Sequence, residues 1–229
     1  MQENGTLKND GTLTIRGVST AHVAPDSAEI KIDIVALGST PDAATANAAN
    51  DIENVKKALK KSSLPVKALR TMTFEVVPNI KKTKKPDGSV EDAQDGYLAK
   101  ESSSVRCSLR NGNYLRALEQ ITKMNPSAKL SLSFGIKNTK TLERALLRDA
   151  AKTALSEGKA LAKSLNSKIV GIQSVEKVDS FQPFLAARKV ADFSLASVST
   201  PLPIQPADID LSISVLVTFK ISTGGEYQD

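Results

Sequence analysis

Apolar and polar residues alternate most sharply in two places. From Ala28 onward, Ala28, Ile30, Ile32 and Ile34 share one side of the chain, while Glu29, Lys31 and Asp33 share the other. Near the end, Ile209, Leu211, Ile213, Val215, Val217, Phe219 and Ile221 stand opposite Asp210, Ser212, Ser214, Thr218 and Lys220. A period of two marks a strand with one buried face. Weaker versions predict strands at Leu13–Gly17, Tyr97–Leu109 and Leu130–Phe134, and strand-like residues run over Leu69–Val77 and Ile169–Val178. An extended piece through His22 and Val23 leads to a turn at Pro25-Asp26. Pro78 is expected to stop its strand, leaving a polar loop over 79–95 with a Pro86-Asp87-Gly88 turn.

Helical spacing appears three times. Thr40-Pro41-Asp42 supplies an N-cap hydroxyl, a first-turn proline and an acid at the positive end of the dipole. Ala44, Ala48, Ile52, Val55 and Leu59 then recur at three and four residues. Tyr114, Leu118 and Ile121 predict a short helix broken at Asn125-Pro126. The longest helix is predicted from Asn138 or Thr139 to Leu165, with a stripe of Leu142, Leu146, Ala150, Ala154, Gly158, Leu161 and Leu165. Glycine costs up to about 1 kcal/mol of helix propensity, so close packing is the expected reason for Gly158.

The order of elements predicts an α+β fold: a largely antiparallel sheet with long helices packed on one face, in two β-α-β-like halves. One domain is expected over 11–222, with polar tails at 1–10 and 223–229. Within it, 181–208 reads as a long loop rich in proline and apolar residues. Phe181, Phe184 and Phe193 are three of the six phenylalanines and stand with Leu185 in this stretch. Such a composition argues against simple disorder. Phe181, Phe184, Leu185 and Phe193 are therefore a candidate oligomer interface. Membrane contact and folding back onto the parent domain are the competing uses.

Charge adds one feature. The chain carries a net charge of +6, but residues 56–86 hold ten basic residues against the single acid Glu75, so +9 sits here and −3 on the remainder. Lys56, Lys57, Lys60, Lys61, Lys81, Lys82, Lys84 and Lys85 form the candidate basic surface. They read first as a solvated helix end and a solvated hairpin. A binding module for anionic surfaces or nucleic acid is the functional alternative. Neither lysine cluster, 56–61 or 81–85, holds an aromatic residue for base stacking, so nucleic acid is not expected.

Candidate chemistry is sparse. The only histidine, His22, lies in an extended segment with no signalled catalytic partner. The only cysteine, Cys107, shares the apolar side of its strand with Val105 and Leu109, which predicts a buried, inert thiol. Asp87, Glu91, Asp92 and Asp95 do not follow calcium-loop spacing. Phosphate loops, nucleophile elbows and zinc-binding helices do not occur. No catalytic residue, cofactor or metal is expected. No uncharged apolar run approaches about 18 residues, so a transmembrane helix is not expected either. Met1-Gln2-Glu3-Asn4 opens no apolar signal core. The cytoplasm is expected if Met1 is native, and the periplasm if an export signal has been removed.

Several stretches resemble one family. Gly17-Val18-Ser19-Thr20-Ala21-His22-Val23-Ala24-Pro25-Asp26-Ser27-Ala28-Glu29-Ile30 is similar to the opening of SIMPL-domain proteins, which include the YggE proteins and the brucella periplasmic immunogenic protein. Phe74-Glu75-Val76-Val77-Pro78 resembles the segment before the family's central hairpin. Arg148–Ala154 and Gly158–Ala162 resemble its long helix. Lys168–Ile172 and Ile213–Ile221 resemble the strands that follow. Ser19 stands where a second glycine is usual, and Ile80 where an aromatic residue often follows the proline. The resemblance spans about residues 11–222. It implies an exported bacterial protein of the periplasm or cell envelope, and with no active site established for the family a non-enzymatic role is expected. It also implies ring- or channel-like homo-oligomers and links to oxidative stress. It assigns no residue a role.

Overall fold

A computed structural model describes residues 10–84, 90–178, 190–193 and 206–223. Phe181, Phe184, Leu185 and Lys85 fall outside the described residues. The strands are β1 (Asp10–Val23), β2 (Ser27–Gly38), β3 (Leu69–Lys84), β4 (Val90–Ser108), β5 (Lys129–Gly135), β6 (Ser167–Lys177), β7 (Val190–Phe193) and β8 (Ile209–Thr223). The helices are α1 (Pro41–Lys61), α2 (Asn113–Met124) and α3 (Thr139–Ser164). All strand pairs are antiparallel. The α+β class therefore holds. The expected sheet, however, is two sheets in two compact units.

The first unit is a five-stranded sheet in the order β3-β4-β2-β5-β7, with α1 and α2. Central β2 keeps its alternation: Ala28, Ile30, Ile32, Ile34 and Ala36 are buried. At the α1 N-terminus, Thr40 Oγ1 accepts from the Ala43 N–H at 3.1 Å, the cap that the sequence predicts. The helix then buries Ala44, Ala48, Val55, Ala58 and Leu59. Val55, Ala58 and Leu59 join the main core with Val105, Tyr114, Ile121 and Leu132. Ala44 and Ala48 meet Ala36 and Ala99 in a smaller cluster nearer the helix start. The Pro25-Asp26 turn ties the head of β2 to its neighbours. The Asp26 N–H donates to Gly135 O, Asp26 O accepts from the Leu109 N–H, and Asp26 Oδ1 accepts from the Lys137 N–H at 2.7 Å.

Over 79–95 the structure departs from the expected polar loop. The β3–β4 hairpin runs on through Lys84 and from Val90. Pro78 does not end its strand, because β3 is a sheet edge and a missing N–H facing away from the ladder costs no pairing. What the sequence marks at Pro78 is a bulge between Pro78 and Ile80. Gly96 sits across from it at φ +78°, a backbone state that favours glycine. Asn79 Nδ2 donates to Asp95 O at 3.0 Å and pins the bulge.

The second unit is a three-stranded sheet, β1-β8-β6, with α3 on one face. β1 is one continuous strand through Val23, paired to β8 along its length. Ala150 and Ala154 pack against Val215, Val217 and Phe219. Two glycines allow this approach. A Cβ on Gly17 would lie 2.1 Å from Ala150 O, and one on Gly158 would lie 2.7 Å from the Phe219 ring. The predicted α3 stripe is right through Gly158 and wrong beyond it. Ala162 is buried there, while Leu161 and Leu165 are exposed.

The two β-α-β halves take an interleaved form. β5 belongs to the first unit, while α3 and β6, which follow it, belong to the second with β1 and β8.

Candidate functional site

The sequence-predicted basic surface does not converge. Lys60 and Lys61 lie in the last turn of α1, and nearby Leu59 packs in the cluster that includes Leu69, the first residue of β3. Lys81 lies twelve residues farther along β3, roughly 40 Å away at a strand's rise of about 3.3 Å per residue. Lys56 pairs with Glu53 at 2.6 Å, and Lys81 pairs with Asp95. Lys57, Lys60, Lys61 and Lys82 are exposed. Lys84 is described only as backbone in β3. These positions fit two solvated ends and do not make one continuous electropositive face. Phe193 is placed only as backbone, opposite Leu130 at the end of β7.

His22 gains a partner from strand register. β1–β8 pairing sets it against Asp210, with Nδ1 2.6 Å from Oδ1 and both side chains largely in solvent. Cys107 is half-buried, short of the full burial expected, with Sγ 3.7 Å from Ala28 O. Burial raises its pKa to about 11, so the thiolate is scarce at neutral pH. Burial, and next the charge of Cys107, also raises Tyr114, which meets Phe134 edge-on.

One buried carboxylate was not foreseen. Glu101 is 9% exposed and accepts hydrogen bonds from Thr71 Oγ1 at 3.0 Å and Ser103 Oγ at 2.8 Å. Along β4 it falls between Ala99 of the small cluster and Val105 of the main core. Two hydroxyl donors satisfy this buried acceptor. Among the described residues, no group of three or more His, Cys, Asp and Glu side chains could hold a metal ion. Among the described residues, no helix is long and apolar enough to cross a membrane.

The feature that stands out is the β6 edge. β6 ends the order β1-β8-β6, so its outer side has no partner strand among the described residues. Val170, Ile172 and Val175 are each 60% exposed, and Val178 just beyond is also exposed. Two bulges shift the register against β8, between Ile169 and Gly171 and between Ile172 and Ser174. Ile169, Ile172 and Val175 thus stand opposite Ile221, Phe219 and Val217. That row lies on the α3 side of the sheet. α3 packs over β1 and β8 more than over β6, which leaves Ile172 and Val175 open. At the head of β6 an open depression is lined by Lys159, Lys163 and Lys168 with Ala162 and Ile169. The opposite edge, β1, exposes Thr12, Thr14, Arg16, Thr20 and His22, with Val18 as its one exposed large apolar side chain among the described residues. Edges are usually blunted by charge, proline or cover. β6 combines an open ladder with exposed aliphatic side chains. The sequence does carry a trace of this, in the three-residue spacing of Ile169, Ile172 and Val175.

Residues 13–219 match the SIMPL family, described as a protein of unknown function (DUF541), and the match runs through both units. The chain belongs to the SIMPL family. Among curated proteins, none matches the chain.

Proposed function

We propose that this SIMPL-family chain is a non-enzymatic protein of the bacterial cell envelope that works by assembling with copies of itself. The observation that carries the proposal is the β6 edge, where Val170, Ile172 and Val175 are exposed beside an open strand ladder. Exposed apolar surface of this kind marks an interaction site, and an unpaired edge is a template for another strand. The periplasmic setting, a ring- or channel-like form and a part in oxidative-stress defence come from the family resemblance and belong to the same proposal. Binding to anionic surfaces through Lys56–Lys85 is the weaker reading, because those lysines are divided between a helix end and a distant hairpin.

Light scattering of the intact chain across a concentration series tests the reading. The expected result is a mass above one chain that falls toward 24.4 kDa when Ile172 and Val175 are both changed to lysine. Both positions are exposed, so folding should survive the change. A single-chain mass for the unaltered protein at all concentrations would contradict the proposal.

A further inference from the structure

We infer that β6 pairs antiparallel with β6 of a second copy, about a two-fold axis at Ile172. The inference rests on the self-assembly reading and specifies its contact. In this register Ile172 faces its own copy, Ile169 faces Val175, and Lys168 faces Glu176. A two-fold axis makes each unlike pair occur twice. The row Ile169, Ile172, Val175 is the one that the bulges place on a single side of the sheet. Pairing about Ile172 therefore matches apolar residues to apolar residues across the junction. The charges agree independently. Lys168 and Glu176 are both exposed, neither forms an ion pair among the described residues, and they sit four residues either side of Ile172. A parallel arrangement in register would instead set Lys168 against Lys168 and Glu176 against Glu176. Like charges directly opposite destabilise a strand pair, so charge selects the antiparallel form. The union would extend each three-stranded sheet into a six-stranded one.

Cysteine cross-linking and charge exchange test it, both in the full chain with Cys107→Ser. Residues directly opposite in an antiparallel pair have Cα atoms about 4.5–5.5 Å apart, within the roughly 4.4–6.8 Å that a disulfide spans. Ile172→Cys should therefore give a covalent dimer under oxidised glutathione. Val170→Cys alone should not, because two copies of residue 170 would lie about 13 Å apart along the ladder. Mixed with Ser174→Cys, which faces it, Val170→Cys should cross-link. Lys168→Glu should weaken the dimer roughly tenfold, and adding Glu176→Lys should restore it. If the protein remains oligomeric by light scattering but Ile172→Cys stays uncross-linked and the charge exchange has no effect, this contact is wrong and self-assembly stands. If the unaltered chain is a monomer throughout, both fall.

Discussion

Gly17 shows how one atom sets the spacing of a helix over a sheet. A methyl group there would meet Ala150 O at 2.1 Å and the Ala154 N at 2.7 Å. Both are backbone atoms, so the helix itself would have to move. Gly17→Ala is expected to cost at least about 2 kcal/mol, in the range of overpacked cores, and to lower the melting temperature by several degrees. A melting temperature unchanged within a degree would mean that α3 does not press on β1. Cys107 gives a prediction in pH. Its folded pKa of about 11 lies above the ordinary 9.0, so the folded chain holds the thiol proton where the unfolded chain has lost it. Its contribution to stability is present below about pH 9 and is lost as pH rises through about 11. Native labelling at pH 8 should be slow and become fast in denaturant, and rapid native labelling would contradict the burial. Single residues were legible where chemistry is local. The Thr40 cap and the strand side of Cys107 follow from neighbours in sequence. The His22–Asp210 contact does not, because it depends on a register 188 residues apart.

At the scale of elements, period-two strands and the helix starts were readable, and the far half of the β3–β4 hairpin was not. Residues Ile80–Lys84 and Val90–Gln94 pair only with each other and their described side chains are exposed. With no buried face there is no apolar alternation to read. The same isolation makes the arm tolerant. Changing Lys81 and Lys82 to glutamate is expected to alter stability by less than about 1 kcal/mol, since exposed charges contribute little. A large fall in melting temperature would show the arm to be structural. Glu101 should behave oppositely. Glu101→Ala takes from buried Ser103 its 2.8 Å acceptor, leaving Thr71 Oγ1 at 3.5 Å, and is expected to cost about 1–2 kcal/mol by denaturant unfolding. The end of the α3 stripe was misread because alanine and leucine score alike as apolar. Drift of the buried face along a 26-residue helix placed Ala162, not Leu161, against the sheet.

At the scale of the molecule, the antiparallel α+β class followed from the order of elements. The cut into two units did not, because β1 and β8 come from opposite ends of the chain and close one sheet together with β6. Sequence patterning reports which side of a strand is apolar. It does not report which strand ends a sheet, so β6 read only as a strand. The candidate phenylalanines of 181–193 drew attention on composition alone. The open aliphatic edge came from topology. On the proposed reading, this edge is where copies of the chain meet. Hydrogen exchange of the intact protein at low and high concentration tests it most directly. Protection of the amides in Ser167–Lys177 should rise with concentration, while those of β1, the other edge of the same sheet, stay unchanged. A mass that grows with concentration while β6 exchange remains constant would contradict the claim.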